Sequence, residues 1–502
     1  MPRLLRGSTA CPRADDSAPA GLGVLFWAGR EPTIRDVLID WAGIGLARGR
    51  RRVGKSWLVE EFLLRGRLPN VFFTASRNPV DADLGRFAEA LAQSSLPDSA
   101  RNAGVTFANW ESALAAAASA ASVASPSVIV IDEFPHIGGA TDEGSAAGES
   151  LISAVWERRL SRAPVLLVLV GSDLAMMERL TQYGRPLYGR AGRILVVDPL
   201  TPADIAEIAQ LSPVDAFDAY AVIGGLPAFA TAWRRAGSLE RFLFDALSSA
   251  DTPFVNSAQR ILEAEFPVHV NARDVLSAIG QGERTLSNIA GAMGASPGNL
   301  SGPLSTLVKG KRVVRSEEPL SAERLNAPRY SILDPYLRFW LRFVERDLPA
   351  IGRLRTDEVV RRILDRWPDA RGSLVEPILR DAVERRLPDE RLPDAAYVGS
   401  YWTRKNDPQI DLVGADAPRA PARVAFVGSI KWRENAPFDG ADLAQLERTG
   451  ALVPGVGATT PLVAISRSGI DPALRARALA ITPEELLRDG PTAAGAVDQP
   501  VG

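Results

Sequence analysis

Residues 49–56 read GRRRVGKS, and their two glycines, lysine and serine match the phosphate-binding pattern GxxxxGK[ST] at every fixed position. Gly49 and Gly54 allow the backbone to curl so that successive N–H groups point at phosphate oxygens. Lys55 would reach the β- and γ-phosphates of a nucleoside triphosphate, and the Ser56 hydroxyl would ligate Mg²⁺. The alternative is a glycine turn that opens a basic helix. The residues predicted to line a nucleotide here are Gly49, Arg50, Arg51, Arg52, Val53, Gly54, Lys55, Ser56 and Trp57.

Two adjacent carboxylates end a strongly apolar run farther along the chain. Residues 127–133 read SVIVIDE, so a strand there would end at Asp132 and Glu133. At the carboxyl edge of a parallel sheet, Asp132 would hold the magnesium shell and Glu133 would polarise the attacking water. Another apolar run ends shortly before Ser172, whose hydroxyl could sense the γ-phosphate or that water. The alternatives are a strand that ends in solvated acids and a strand followed by a plain turn.

The elements that must position these residues are visible as apolar runs separated by helix-like segments. The runs are residues 71–75, 128–131, 165–170 and 194–197. They are rich in Val, Ile and Leu without alternation, which is typical of strands buried on both faces. Strands that alternate with helices predict an α/β core with a parallel sheet over residues 21–200.

After residue 200 the pattern changes to helices alone, which predicts a helical lid over 201–268. Residues 269–345 predict a winged helix, because two short helices at 286–293 and 299–309 precede two short strands. A small basic cluster lies at the end of the second helix. Its candidates for contact with DNA phosphates are Lys309, Lys311 and Arg312. A further α/β unit is predicted for 366–470.

Composition and charge narrow the class of protein. The chain has 502 residues, 46% hydrophobic and 24% charged, which is typical of a globular protein with several domains. The net charge of −2 gives no global attraction to nucleic acid. One cysteine, Cys11, excludes an internal disulfide framework. Residues 1–20 and 490–502 are predicted to be disordered tails.

Targeting signals are also missing from the sequence pattern. No apolar run approaches the roughly 18 residues that span a bilayer, and the first residues lack the apolar centre of a signal peptide. We therefore expect a cytoplasmic protein that does not contact membranes.

Several motifs in order resemble the archaeal-type AAA+ ATPases, a P-loop family related to the STAND and origin-recognition lineages. The matching segments are GRE at 29–31, GRRRVGKS at 49–56, IDEF at 131–134, GS at 171–172, PLYGR at 186–190, GGLP at 224–227 and RYSILDPYLRFW at 329–340. The resemblance covers roughly residues 24–470. It implies an AAA+ core, a lid, a winged helix and a C-terminal domain of unknown function. It also implies ATP and Mg²⁺ as cofactors, and it allows assembly into a homo-oligomer.

The resemblance also assigns two arginines. It implies that Arg30 lies near the adenine. Arg190 would touch the γ-phosphate within one chain or across a subunit boundary, or would pair with a surface acid instead. This chain departs from the family pattern just before the loop. Residues 44–47, which precede Gly49, have the sequence of a poor strand. A truncated first strand would anchor the loop badly and weaken ATP turnover.

The C-terminal unit resembles a restriction-endonuclease core. In such cores a helix glutamate, a strand aspartate and an acid-x-Lys pair gather Mg²⁺ and a water. The corresponding residues are Glu376, Asp411, Ser429 and Lys431. Ser429 stands where the acid is needed, and a neutral hydroxyl is a poor magnesium ligand. We therefore expect a degenerate site, the alternatives being an active nuclease and an ordinary strand pair with a surface lysine.

Three functions follow from these patterns. The first is an ATP-hydrolysing AAA+ switch that acts on nucleic acid or on a protein partner. The second is an ATP-regulated DNA-binding protein with negligible turnover. The third is a magnesium-dependent nuclease gated by ATP, against which Ser429 argues.

Overall fold

The computed structural model describes residues 43–139, 142–265, 270–320, 328–405, 407–421 and 423–488. The expectations for Cys11, for Arg30 and for the two terminal tails fall outside these residues.

The N-terminal part is a layered α/β core. Its elements are β1 (Gly43–Arg48), α1 (Lys55–Gly66), β2 (Asn70–Thr74), α2 (Val80–Ala92), α3 (Trp110–Ser119), β3 (Ser127–Asp132), α4 (Asp142–Arg158), β4 (Val165–Gly171), α5 (Leu174–Arg179) and β5 (Ala191–Val196). The five strands form one parallel sheet in the order β2-β3-β4-β1-β5. Side chains on its two faces belong to two separate apolar clusters. The sheet confirms the α/β class that the apolar runs predict.

The expectation of a poor first strand is wrong. β1 is a six-residue strand that pairs with β4 on one side and with β5 on the other. Ile44, Leu46 and Ala47 are each at most 2% exposed. Pairing on both sides satisfies the backbone, so the position in the sheet outweighs the weak strand propensity of a glycine-containing segment.

Register brings three strand ends to the same edge of the sheet. Arg48 at the end of β1 pairs with Gly171 at the end of β4, and Ile131 pairs with Leu169 one strand farther on. The segments that follow β1, β3 and β4 therefore leave the sheet side by side.

Helices and a hairpin follow this core. They are α6 (Pro202–Ala209), α7 (Pro213–Ile223), α8 (Pro227–Ala236), α9 (Leu239–Ala246), α10 (Pro253–Glu265), α11 (Val270–Gly280), α12 (Leu286–Ala292), α13 (Ser301–Ser305), β6 (Val314–Glu317) and β7 (Arg329–Ile332). β6 and β7 are antiparallel. The single helix predicted for 299–309 is instead a 3₁₀ turn, the short α13 and a π-helical turn over Thr306–Gly310. Gly302 and Pro303 inside the segment explain the irregularity.

The C-terminal part is a separate sheet domain preceded by helices. Its elements are α14 (Pro335–Phe343), α15 (Leu348–Ile351), α16 (Thr356–Arg386), β8 (Tyr397–Trp402), β9 (Gln409–Ala415), β10 (Val424–Lys431), α17 (Gly440–Gly450), β11 (Leu462–Ser466), β12 (Leu479–Ile481) and α18 (Pro483–Leu486). The mixed sheet has the order β12-β11-β10-β9-β8. α16 begins before residue 366, the predicted start of the C-terminal unit, and passes through Pro368 and Pro377.

One apolar core continues from α6 to the C-terminal sheet. It includes Leu200 at its start, Tyr336 and Trp340 of α14, Trp367 of α16 and Phe426 of β10. The helices from α6 onward, the β6–β7 hairpin and the C-terminal elements therefore share one core. A further apolar cluster lies on the C-terminal sheet, and the N-terminal sheet has its own two clusters. Among the described residues, none of the helices has the length and apolar character required to cross a membrane.

Candidate nucleotide site

The segment over residues 49–54, here called the glycine loop, joins the end of β1 to the start of α1. Gly54 has a φ of 92° and Arg52 a φ of 69°, and both left-handed conformations curl the loop. A Cβ on Gly49 would lie 2.2 Å from the carbonyl oxygen of Val197, so only glycine fits there. Gly54 has no side chain with which to cap α1. The first N–H groups of that helix are therefore suited to receive an anion.

Lys55 begins α1 and is only 6% exposed. Its Nζ donates hydrogen bonds of 2.8 Å to the carbonyl oxygens of Gly49 and Arg50. Burial lowers the pKa of Lys55 to about 8, and the carboxylates of Glu133 and Asp132 oppose that shift. The ammonium group therefore lies inside the glycine loop and within electrostatic reach of both acids.

Ser56 and Asp132 meet although they come from different elements. Ser56 Oγ donates to Asp132 Oδ2 over 2.8 Å, and the N–H of Glu133 donates to Asp132 Oδ1 over 2.9 Å. Burial raises the pKa of Asp132, and the hydrogen bond from Ser56 opposes the increase. A hydroxyl and a carboxylate are oxygen ligands that Mg²⁺ accepts when water and phosphate oxygens fill the other positions. The pair fits a magnesium ion bound together with a nucleotide.

Glu133 and Ser172 form a second contact at the same edge of the sheet. Glu133 has a φ of 48°, so the chain turns sharply directly after β3. Ser172 Oγ lies 3.0 and 2.9 Å from the two carboxylate oxygens of Glu133 and donates to them. This hydroxyl therefore fixes the direction of the carboxylate beside the glycine loop.

Arg190 makes its contacts with residues other than those of the glycine loop and the two acids. Its guanidinium donates to the carboxylate of Glu157 on α4 and to the carbonyl oxygen of Pro186. This contact matches the alternative in which the arginine pairs with an acid. Trp57 lies in the first turn of α1 and is 38% exposed.

Arg50 of the glycine loop also contacts an element that the motif analysis does not connect with the loop. Arg50 Nη2 donates to the carbonyl oxygen of Arg312 over 2.9 Å. Burial raises the pKa of Asp334, and the positive charge of Arg50 opposes the increase. Asp334 caps α14 by accepting from the N–H of Tyr336 over 2.9 Å. The sequence signal is the Asp-Pro pair before an apolar helix, which indicates an N-cap but no contact with the loop.

The basic cluster formed by Lys309, Lys311 and Arg312 is partly engaged inside the molecule. Arg312 Nη1 lies 3.2 Å from Glu178 Oε2 on α5, and Arg48 Nη1 lies 3.2 Å from the other oxygen of that carboxylate. Lys309 and Lys311 are exposed. Arg312 therefore faces the N-terminal core, while the two lysines lie on the surface.

The four residues of the suspected nuclease site lie close together, but an arginine is among them. Asp411 Oδ2 accepts from Ser429 Oγ over 3.1 Å and from the N–H of Ile430 over 3.0 Å. Burial and the nearby Glu376 raise the pKa of Asp411, and Lys431 opposes the increase. Arg380 is paired with the carboxylate of Glu376. Because a guanidinium neutralises one acid and hydrogen-bond donors occupy the other, this group does not fit a magnesium ion.

Residues 340–443 match the family model DUF234, described as archaeal and bacterial proteins of unknown function. The C-terminal part of the chain carries a DUF234 domain. An uncharacterized protein of Methanocaldococcus jannaschii is 22% identical over 317 residues, which are 61% of this chain and 68% of that protein.

Two solved structures are similar in part. The Walker-type ATPase of Pyrococcus abyssi has a TM-score of 0.45 and 18% identity, over 62% of this chain and 94% of that one. The ORC2 protein of Aeropyrum pernix in its ADPNP–ADP complexes has a TM-score of 0.40 and 12% identity, over 72% of this chain and 98% of that one.

The DUF234 match begins inside α14 and ends inside α17. It therefore includes all of α16 and the strands β8, β9 and β10. Glu376, Asp411, Ser429 and Lys431 all lie within it. The arginine-paired acid group is thus a feature of the DUF234 domain of this chain.

Proposed function

We propose that the chain binds ATP with Mg²⁺ at the glycine loop and hydrolyses it as a molecular switch of the AAA+ type. The observation that carries the proposal is the 2.8 Å contact between Ser56 and Asp132 beside the buried Lys55. Residues far apart in sequence meet at one sheet edge with the ligand types that a magnesium triphosphate requires. The resemblance in motif order supports the AAA+ class.

Binding would use groups of this chain that are already in place. The N–H groups of the glycine loop and of the first turn of α1 would receive the β-phosphate. Lys55 Nζ would leave the carbonyl oxygens of Gly49 and Arg50 and contact the β- and γ-phosphates. An ammonium group binds a polyanion more strongly than it binds neutral carbonyl oxygens. Ser56 and Asp132 would hold Mg²⁺, which supplies charge neutralisation on the phosphate oxygens.

Hydrolysis would rest on Glu133. Its carboxylate would accept a proton from the attacking water, and Ser172 would keep it oriented toward that water. Arg190 would contribute from a neighbouring subunit in a homo-oligomer, because its ion pair with Glu157 keeps it at the surface of its own chain.

The switch would move two bodies relative to each other. The N-terminal sheet has its own apolar clusters, and one continuous core joins the helical, winged-helix and C-terminal elements. Polar contacts from Arg50 and Glu178 connect the two bodies. Polar contacts break and re-form more readily than a packed core. The clients of such a movement would be nucleic acid or a partner protein.

Nucleotide binding and phosphate release by the purified chain test this proposal. We expect Lys55→Ala to abolish binding of ATP–Mg²⁺ and Glu133→Gln to preserve binding while stopping phosphate release. Lys405→Ala and Glu89→Gln are matched controls, because both side chains are exposed. Unchanged phosphate release in Glu133→Gln would show that the hydrolytic assignment is wrong.

The geometry also favours a second candidate, an ATP-regulated DNA-binding protein with negligible turnover. Ser172 engages both oxygens of Glu133, which would keep the carboxylate away from a water molecule. Tight ATP binding without phosphate release by the native chain would support this candidate.

DNA contact through the winged helix would depend on Lys309 and Lys311. Changing both to alanine should weaken DNA affinity and make it less dependent on salt, because about one counterion fewer is released for each phosphate that is no longer neutralised. Lys405→Ala is the control. Equal affinity in the double variant would exclude this surface.

The nuclease alternative receives no support from the DUF234 domain, where Arg380 neutralises Glu376. We expect no cleavage of DNA by the native chain with Mg²⁺. Nicking that disappears in Lys431→Ala would overturn this expectation.

A further inference from the structure

A cavity lies between the winged helix, α14 and the DUF234 domain, away from the glycine loop residues. Its walls come from the segment after α11, from β6 and β7, from α14 and from α16. Five arginines line it: Arg284, Arg329, Arg338, Arg342 and Arg380. Two acids, Glu317 and Glu376, also line it. The cavity is therefore strongly basic although the chain as a whole carries a net charge of −2.

The two acids are already engaged by one of the arginines. Arg380 pairs with Glu376, and its Nη2 lies 3.7 Å from Glu317 Oε2. Arg329 donates to Gln409 over 3.2 Å and stacks 4.3 Å above the ring of Trp402. These two arginines thus have structural partners.

The other three arginines lack an anionic partner in the part of the chain that the structure describes. No carboxylate there lies within 4.0 Å of Arg284, Arg338 or Arg342. Arg338 Nε is buried and has no hydrogen-bond partner among the described residues. Three cations and one unsatisfied N–H group therefore converge on the cavity.

Two of these arginines are held at the proline inside α16. Pro377 lacks the N–H group that would bond to the carbonyl oxygen of Ser373 in a regular helix. Arg284 Nη2 donates to that oxygen over 3.4 Å, and Arg338 Nη2 donates to the carbonyl oxygen of Leu374 over 2.7 Å. Each guanidinium is oriented by a neutral oxygen and keeps other N–H groups for a ligand.

Electrostatics agree with this geometry. Burial lowers the pKa of Arg338 to about 10, the charge of Arg284 also lowers it, and the charge of Asp381 opposes the decrease. Burial and Arg284 also lower the pKa of Arg342. Like charges held together at low dielectric repel one another, and an anion between them would relieve that repulsion.

We propose that this cavity binds a phosphorylated small molecule, with Arg284, Arg338 and Arg342 as the ligands of its phosphate group. Guanidinium groups match the tetrahedral oxyanion with paired hydrogen bonds. Walls from several elements enclose the three arginines, so the site is a pocket of limited length. A nucleic acid strand would require a groove that continues beyond it.

The test uses the full chain carrying Lys55→Ala, so that the glycine loop does not bind the probe. We expect calorimetric titration with pyrophosphate and with ribose 5-phosphate to show binding. Adding Arg284→Gln and Arg342→Gln should weaken it about tenfold or more, the effect of removing one or more charge-assisted hydrogen bonds. Arg366→Gln is the matched control, because that exposed arginine lies outside the cavity, over the ring of Phe343.

Arg338→Lys keeps the charge but removes the planar fork, so it should also weaken binding without unfolding the chain. Thermal unfolding of each variant shows that it is folded. Equal affinity in the arginine variants would overturn the proposal. So would a chain that binds neither probe at millimolar concentration, or one that binds only a single-stranded oligonucleotide. Because Lys55 is already changed, these outcomes do not depend on whether the chain hydrolyses ATP.

Discussion

At the scale of single residues, the burial of Lys55 sets the pH range of nucleotide binding. The pKa of Lys55 lies at about 8 in the folded chain, against an ordinary lysine value of 10.5. A bound triphosphate favours the charged form, so above this pKa binding must take up a proton. We expect ATP affinity to be constant below the pKa and to fall by about tenfold per pH unit well above it.

Titration of a fluorescent ATP analogue across this pH range measures the effect. Lys55→Ala is the control, because its binding of the analogue should be lost at every pH. A native affinity that stays constant to about two pH units above the pKa would contradict the placement of the ammonium against the phosphates.

The pair formed by Ser172 and Glu133 supports a second prediction. The hydroxyl orients the carboxylate, so Ser172→Ala should lower kcat by about tenfold and leave the KM for ATP nearly unchanged. Steady-state phosphate release measures both constants. Ser161→Ala is the control, because that serine is exposed and precedes β4, at the opposite end of the strand from Ser172. An increase in kcat would instead show that the hydroxyl restrains Glu133, and it would favour the regulator with negligible turnover.

At the scale of elements, the glycine loop depends on its fit against the end of β5. A Cβ at position 49 would meet the carbonyl oxygen of Val197 at 2.2 Å, so Gly49→Ala must displace the loop or the strand. We expect a decrease of about 1–3 kcal/mol in the free energy of unfolding and a marked decrease in ATP affinity.

Gly85→Ala provides the matched comparison. A Cβ there meets nothing within 4 Å, and the position lies inside α2. The same substitution should therefore stabilise the chain by about 0.5–1 kcal/mol through helix propensity. Denaturant unfolding measures the change in the free energy of unfolding of each variant, which should be a decrease for Gly49→Ala and an increase for Gly85→Ala. Equal changes in the two variants would show that the close approach at Gly49 does not constrain the loop.

Elements of the sheet can be predicted where the apolar run is long and rich in branched residues. β3 and β4 are evident for this reason, and the general behaviour of parallel strands then brings the segments after them to one edge. β1 escapes such a prediction because Gly43 and Gly45 weaken its pattern, and only pairing with β4 and β5 makes it a strand. Local propensity carries no information on such distant neighbours.

The residues around α14 and α16 also show that local sequence does not predict contacts between distant segments. Proline normally ends a helix, so Pro368 and Pro377 hide the full length of α16, which its long buried face stabilises. The arginine cavity draws on residues from about position 284 to position 380, and no periodicity in the sequence joins them. Glu376 and Arg380 are four residues apart on one helix, so the local sequence already allows them to pair, and the fold adds the burial of Arg380.

At the scale of the whole molecule, a partly buried carboxylate fixes the helical part to the DUF234 domain. Asp218 of α7 accepts from Trp432 Nε1 over 2.6 Å and from Arg467 Nη2 over 3.1 Å. Together with the continuous apolar core, this contact makes the two parts move as one body. A nucleotide-driven movement would therefore occur where that body meets the N-terminal sheet.

The contact at Glu178 tests whether the movement is transmitted between the two bodies, because it joins Arg48 beside the glycine loop to Arg312 just before β6. We expect ATP–Mg²⁺ to change hydrogen exchange over residues 306–317 of the native chain. Glu178→Gln should reduce that change while altering the free energy of unfolding by less than about 1 kcal/mol, since partly exposed ion pairs contribute little. ATP affinity should stay within about threefold, because Glu178 does not belong to the loop that would receive the phosphates. Glu89→Gln is the control. If residues 306–317 respond equally in both variants, the movement passes through the Arg50 contact or through the chain connection after β5, and Glu178 does not transmit it.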